Sequence, residues 1–463
     1  MFIDIIKCKR LLYHLYKLHF TESLRNAINV RTSAKACGSI GIKLLQTLVQ
    51  RNEFISSDYR YVFDEVFEDC DTHSWTDTVK LYRFSFGRSI YDDYDVKGYD
   101  TQPVGSGSIG QVYKLYHKKL KRYVALKVKH PNIESKTRKF VFATMLMLRL
   151  VNSIVRLPFY MLIKEFMENV SLQLDYNMES KNTMRLRVHF KNEKHIIVPR
   201  VYEHNNHIIV MDYHDGVSYK HITNEGLHFK ISVDMFLFIH TSILLYDCFH
   251  CDLHQGNWKV QPLPDGNYNI VIYDCGIMSS TNNLELNRSI IKCFLDEDLR
   301  SLTKVCCENK DDKKTQLLEE YYVNHVNPSD GINGFRKILK QALIIGIKIN
   351  PNIIRMVQGI AAFDTCFSKG INRFSKLWNG ANTNSSPSNI RMCVYHGLAR
   401  HLNKYSDLQN YYSQVINSDP EIKIAFNAWL DDSFGHTDAS AFFEVFDKIF
   451  QMEGSNDVSV THV

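Results

Sequence analysis

Apolar residues recur at three- and four-residue spacing through the first part of the chain, as in GIKLLQTLVQ, and predict helices over residues 1–95. The texture then changes. VYKLYHKKLKRYVALKVKH alternates apolar and polar positions and predicts two strands, Val112–Tyr116 and Tyr123–Val128, joined by a basic turn. Helical spacing returns over residues 134–190. A third β region, Ile196–Gly216, places Asn205 and Asn206 at a hairpin turn. An apolar helix over 227–248 then runs into FHCDLHQGNW, Phe249–Trp258. NYNIVIYDCG, Asn267–Gly276, predicts a short buried strand ending in Asp-Cys-Gly. From about 285 to 452 the pattern is mostly helical, with a polar surface loop at Asn379–Asn389 and a frayed tail at 453–463. No internal repeat is present.

Two apolar stretches raise the question of a membrane. Val141–Ile163 is long enough to span one, but Arg149, Arg156 and Pro158 interrupt it, so a buried or lobe-spanning helix is expected instead. MFIDIIKCKRLLYHLYKLHF mixes Lys, Arg and His into its apolar positions and lacks a small-residue cleavage site. It reads as no secretory signal, and a helix lying on a membrane surface stays open.

Composition changes this picture little. The 463 residues suffice for two or three domains, and 44% hydrophobic with 23% charged residues describe an ordinary globular protein. The net charge of +6, from 56 basic and 50 acidic residues, is too mild to argue for nucleic acid. Eleven irregularly spaced cysteines suit a reducing, intracellular compartment better than a disulfide framework.

PVGSGSIGQV carries Gly105, Gly107 and Gly110 in a G-x-G-x-x-G-x-V arrangement. Glycines let backbone amides approach phosphate oxygens, and the candidate nucleotide-binding turn comprises Val104, Gly105, Ser106, Gly107, Ser108, Ile109, Gly110, Gln111 and Val112. Alone the pattern is weak, because dinucleotide-binding turns and plain hairpins share it. A dinucleotide turn opens a helix and wants an acid about 20 residues later. Here strand-forming residues follow, and then Val124-Ala125-Leu126-Lys127, a lysine on a second strand as in protein kinases. Lys127 would align nucleotide phosphates, held by a glutamate. Without the glycines, an ordinary exposed strand lysine would be the better reading.

The stretch His250-Cys251-Asp252-Leu253-His254-Gln255-Gly256-Asn257 fits H-x-D-L-x-x-x-N, with Asp252 as candidate catalytic base and Asn257 as metal ligand. After the buried strand, Asp274-Cys275-Gly276 occupies the place of a magnesium-binding Asp-Phe-Gly. Two oxygen ligands, Asn257 and Asp274, suit a hard cation carrying nucleotide phosphates. The rival is zinc at Cys248, His250, Cys251 or His254. It has one C-x-x-C pair, no second pair, and no H-E-x-x-H. Four motifs in the right order favour a catalytic loop.

At these residues the sequence resembles the UbiB/AarF-type atypical kinases, the ADCK family, from roughly Cys37 to Ile277. FHCDLHQGN is similar to that family's F-H-A-D-P-H-P-G-N, IVIYDCGI to its strand ending D-F-G, and LDYNMESKN, Leu174–Asn182, to its L-D-F-x-x-E-A-x-N helix. The resemblance implies Glu179 as the partner of Lys127 and Asp175 as the acid of an E-x-D signature. GIKLLQ resembles the K-x-G-Q helix, which implies an accessory role for Lys43 and Gln46 over the nucleotide pocket. Departures exist. The family's alanine-rich loop is replaced by GSGSIGQV, the K-x-G-Q glycine by Leu45, and the first acid of E-x-D by Gln173, which reads as a solvated helix position. Both prolines are replaced, by Leu253 and Gln255. His254 then stands where many kinases place a phosphate-contacting lysine.

The reading implied is an α+β, bilobal protein-kinase-like fold: a helical extension over 1–95, a β-rich lobe with a helical insertion over 96–216, a helical lobe over 217–452, and the tail. Its cofactors would be ATP and Mg²⁺, bound between the lobes, with Asp252 orienting an acceptor hydroxyl or water. No A-P-E follows Asp-Cys-Gly, which favours a lipid or other small-molecule acceptor, or water, over protein, and the family resemblance implies an isoprenoid-like one. A catalytically inactive, nucleotide-gated binding module is the alternative from another class.

Overall fold

The two predicted strands form one antiparallel hairpin in the computed structural model, which describes residues 2–49, 62–63, 72–154, 160–191, 193, 195–223, 225–264, 267–295, 301, 312–326, 331–347, 349–357 and 359–360. The Asn379–Asn389 loop, the helices expected beyond 360 and the 453–463 tail lie outside the described residues. The elements in chain order begin with helices α1 (Phe2–Phe20), α2 (Leu24–Ala36), α3 (Ser39–Val49), α4 (Trp75–Phe86) and α5 (Ile90–Asp93). Strands β1 (Tyr94–Asp95), β2 (Gly105–Ser106), β3 (Gly110–His117) and β4 (Arg122–Lys129) follow. Next come α6 (Ile133–Ile154), α7 (Tyr160–Gln173) and α8 (Tyr176–Phe190), then β5 (Ile196–Ile197), β6 (Val201–His204) and β7 (Ile208–Asp212). After α9 (Glu225–Leu244) come β8 (Phe249–His250), β9 (Trp258–Pro262), β10 (Tyr268–Ile272), β11 (Met278–Ser279) and α10 (Leu284–Leu295), with further helices at Asp312–His325 and Gly331–Ile345.

The chain divides into two units: Met1–Met184 with Arg200–Tyr213, and Arg185–Pro199 with His214–Val463. The first is built on an antiparallel sheet in the order β1-β3-β4-β7-β6, with β2 added against β3. Period-two alternation sorts β4. Val124, Leu126 and Val128 enter one core with Tyr113, Leu115 and Val210. Ala125 lies in a second cluster with Ile109, Ile209 and Tyr176 of α8. Lys127 and Lys129 take the same parity as Ala125, and the Tyr176 ring lies 5.2 Å and 4.9 Å from their ammonium nitrogens.

Helices α1, α2, α3, α6 and α7 make a third core. The α1 positions Leu11, Leu12, Leu15 and Leu18 are buried there, while Ile6, Tyr13 and Phe20 of the same helix are exposed. Val141–Ile163 is divided between α6 and α7, and α6 buries Ala143 and Leu148 while its Phe142 and Leu150 are exposed. No helix among the described residues is long and apolar enough to cross a membrane. Side-chain caps set the ends of these helices. Ser23 and Ser74 accept from main-chain N–H groups at the starts of α2 and α4, and Gly87, at φ 69°, closes α4.

The second unit gathers α9, Phe190, Trp258, Ile270, Ile272 and Phe335 into its core. In it β10 pairs parallel with β5 and antiparallel with β9, while β8 pairs antiparallel with β11. The apolar helix α9 ends at Leu244, earlier than its pattern predicts. Cys248 lies beyond it as a buried residue of the connection.

Candidate active site

In the first unit the glycine turn is a strand–turn–strand and opens no helix, which excludes the dinucleotide arrangement. Gly105 faces Val112 and Ser106 faces Gln111 across β2 and β3, and Gly107 N–H donates to Gly110 O at 2.9 Å. The three glycines are present for different reasons. Nothing lies within 4 Å of a Cβ placed on Gly105, and only Gly110 O, at 3.7 Å, near one placed on Gly107. At Gly110 a Cβ would overlap the Tyr176 hydroxyl and Val128 O, so this glycine is demanded by packing. Val104 is exposed, Ile109 is buried, and Gln111 is fully buried with its side chain bonded to the His73 main chain. Gln111 therefore adjoins the turn only through its backbone.

Lys127 Nζ lies 2.6 Å from Glu179 Oε1, with side-chain exposures of 14% and 4%. The pair is thus largely removed from water, and neither charge would be tolerated there alone. Asp175 caps the helix that carries Glu179: its Oδ1 accepts Met178 N–H at 3.0 Å. Lys129, on the same strand face, is buried and bonded to Glu134 Oε1 at 2.7 Å, and burial lowers its pKa. Gln173 is not solvated as its sequence context predicts. It is buried and accepts a hydrogen bond from Lys43, which joins α3 to the end of α7. A carboxamide can be buried where its oxygen meets a lysine. Leu45, in the place of the family's glycine, is a buried core residue, and the Gln46 side chain lies outside the described residues.

In the second unit sheet register assembles the loop. Trp258 pairs with Ile272, and the next residues outward continue the ladder, Tyr273 N–H donating to Asn257 O at 2.8 Å. Asn257 and Asp274, well apart in sequence, are thereby brought to one end of the β9–β10 hairpin. The β8–β11 pairing, His250 opposite Met278, carries the loop to the same place. His250 is buried. Its Nδ1 accepts Asp252 N–H at 3.1 Å, and its Nε2 donates to Asp274 O at 2.9 Å. Burial holds its pKa below the ordinary value, matching a neutral ring with the proton on Nε2. Asp274 has φ 43°, the left-handed region, and its Oδ1 accepts Gly276 N–H at 3.2 Å.

Asn257 Nδ2 donates to Asp252 O at 2.7 Å, which turns its carbonyl oxygen to the other side, as the atom that could meet a cation. A carboxylate and an amide oxygen suit Mg²⁺, which takes few protein ligands and completes its shell with waters and phosphates. His254 Nδ1 accepts Gly256 N–H at 3.0 Å, and its Nε2 lies 3.8 Å from Asp252 Oδ2. A zinc site at this loop does not fit. Both His250 nitrogens are engaged, and burial pushes the Cys248 and Cys251 thiols above their ordinary range. Among the described residues no group of three His, Cys, Asp or Glu side chains could hold a metal. Cys248 and Cys251 are free thiols.

Sequence reasoning missed Asp247. It accepts from Thr281 N–H at 2.9 Å, Asn282 N–H at 2.7 Å and Asn287 Nδ2 at 2.8 Å, and also from the Ser280 hydroxyl. Burial alone raises its pKa, but these bonds, Ser280 foremost, outweigh it and hold the carboxyl below its ordinary range. The segment after Asp-Cys-Gly is pinned by this one side chain.

The sequence pattern of the ABC1 atypical kinase-like domain matches residues 65–306, over half of the chain. The chain belongs to this family. Its fold is accordingly α+β and kinase-like. AarF domain-containing protein kinase 1 of Gallus gallus is 25% identical over 262 residues, covering 55% of this chain and 50% of the relative. "Probable protein kinase UbiB" of Actinobacillus pleuropneumoniae serotype 5b is 26% identical over 304 residues, covering 61% and 54%. The chain spans about half the length of these curated relatives. Among solved structures, the complex of Rv3197 with erythromycin from Mycobacterium tuberculosis aligns with a TM-score of 0.45 and 17% identity, over 70% of this chain and 86% of that one.

Proposed function

We propose that this ABC1-family chain is an ATP- and Mg²⁺-dependent phosphotransferase or ATPase whose acceptor is a lipid or other small molecule. The observation that carries the reading is the buried ion pair, 2.6 Å long, between Lys127 on β4, the second strand after the glycine turn, and Glu179 on α8. Burying this ion pair costs desolvation that apolar residues would not, and phosphate alignment is the use that a strand lysine held by a glutamate serves in this motif pattern. Amides of the 104–110 turn other than those of Val104 and Gly107, which are bonded to Val112 O and Gly110 O, would receive phosphate oxygens, with open space around Gly105 and Gly107 leaving them accessible. Asp274 and Asn257 would hold Mg²⁺, which when bound neutralises charge on the phosphates. Asp252 would orient the acceptor hydroxyl or water and take up its proton, while His250 fixes the main chain on either side of it. His254, with its Nδ1 occupied, would present Nε2 beside Asp252.

The missing A-P-E, with Ser280–Asn282 tied to Asp247, supports a small acceptor over a docked peptide. The domain boundaries at 95/96 and 216/217 are retained as part of this reading. The experiment is Mg-ATP turnover by the full chain, measured as ADP released with and without lipid and small-molecule extracts. ADP formation dependent on Mg²⁺ and Lys127 is expected. Tight Mg-ATP binding with no ADP would instead identify a nucleotide-gated binding module, and no binding would end the proposal.

A further inference from the structure

A continuous chain of hydrogen bonds supports the glycine turn from behind, and the function proposed above makes no use of it. His130 directly follows β4. Its main-chain N–H donates to Ile109 O at 2.9 Å, and its ring Nε2 lies 2.8 Å from Gly107 O. Its Nδ1 lies 2.8 Å from Nδ1 of His73, whose Nε2 lies 2.9 Å from Thr78 Oγ1. Thr78 Oγ1 is in turn 2.9 Å from the Tyr113 hydroxyl, which also accepts from Gln111 Nε2. The Gln111 side chain closes the circuit, accepting His73 N–H at 2.9 Å and donating to His73 O at 3.0 Å.

The partners at the two ends give this chain one consistent order of protons. A carboxamide nitrogen only donates, so Tyr113 accepts from Gln111, and its fully buried hydroxyl satisfies its own proton by donating to Thr78 Oγ1. Thr78 then donates to His73 Nε2, which must be bare. A main-chain carbonyl only accepts, so His130 carries its proton on Nε2 and gives it to Gly107. His73 is left with its proton on Nδ1, aimed at the bare Nδ1 of His130. Both ends agree, and both rings are neutral. Burial, and then the neighbouring His130, hold the His73 pKa at about 4, which accords with this state.

We infer that His130, oriented by His73, is a positioning residue that holds the glycine turn ready for nucleotide phosphates. This deepens the phosphotransferase reading and rests on it. A turn containing Gly105 and Gly107 samples many backbone conformations, and binding must select one. A hydrogen bond at Gly107 O, reinforced at Ile109 O, makes much of that selection before the ligand arrives.

The test uses the full chain in three measurements. In ¹⁵N-histidine NMR of the unaltered protein, His130 should be protonated at Nε2 and His73 at Nδ1; His73 protonated at Nε2 overturns the assignment. In amide hydrogen exchange without ligand, His130→Ala should speed exchange across residues 104–110 about tenfold, the loss of roughly one net hydrogen bond. His130→Gln should restore it, because Nε2–H can serve Gly107 while Oε1 accepts from His73. An unchanged turn in His130→Ala, or no restoration by Gln, overturns the clamp. Titration with Mg-ATP should show a parallel rise and recovery of Kd with kcat little moved. If the unaltered chain binds no Mg-ATP, the functional reading fails, while the NMR and exchange results still judge the clamp by themselves.

Discussion

His250 spans the loop: one ring nitrogen accepts Asp252 N–H, and the other donates to the carbonyl of Asp274, 2.9 Å away. A single buried imidazole thus sets the main chain beside both carboxylates on which the proposed chemistry depends. His250→Ala would leave the Asp274 carbonyl buried without this donor and free a residue at φ 43° to relax. Turnover is expected to fall by on the order of a hundredfold, with destabilisation of about 1–3 kcal/mol. His250→Asn, too short to bridge both sites, should recover little. Denaturant titration and ADP release measure the two effects separately.

Removing one charge of the Lys127–Glu179 pair leaves the other buried, at a cost of about 3–5 kcal/mol. Lys127→Met and Glu179→Met should each lower the unfolding midpoint. The double variant should regain most of that stability while remaining inactive. Inactivity despite recovered stability separates the ammonium's proposed role on phosphate from its role in the fold. Full activity in the double variant would remove the basis of the functional reading.

Asp274→Asn keeps the size of the side chain and one acceptor oxygen but removes the charge expected to hold Mg²⁺. Magnesium-dependent nucleotide turnover should disappear, with little change in thermal midpoint. Undiminished turnover would show that the metal ligand is elsewhere.

Acid should destabilise the protein through its buried and half-buried histidines. Burial lowers the pKa of His73 to about 4, from 6.5, and burial also lowers those of His207 and His250. Below 6.5 the unfolded chain takes up protons that the folded chain refuses. The contribution of these groups is therefore complete above pH 6.5 and is lost progressively as pH falls towards 4. The thermal midpoint should drop between pH 7 and pH 5, and His73→Gln should flatten that slope.

Much of the candidate site was legible because its residues sit in short motifs. Lys127 follows the glycines at strand spacing, and Asp252, Asn257 and Asp274 fall at recognisable offsets. Glu179 was reachable only through resemblance, since no local rule links it to a strand so far upstream. The His73–His130–Gln111 circuit and Asp247 were not legible, because each is defined by partners from separate elements. Gln173 was misread as solvated for the same reason: its burial depends on Lys43, in another helix.

The close approach of Tyr176 to Gly110 has a consequence for how such a chain can drift. With that hydroxyl and Val128 O against the missing Cβ, no methyl group can be accommodated at 110 while the tyrosine stays. The same ring lies beside both strand ammoniums, so trimming it to make room would disturb Lys127 and Lys129 together. Nor would such trimming make room, because Val128 O is main chain and would still overlap a Cβ at 110, so relatives that keep this hairpin should keep glycine there whatever stands at 176.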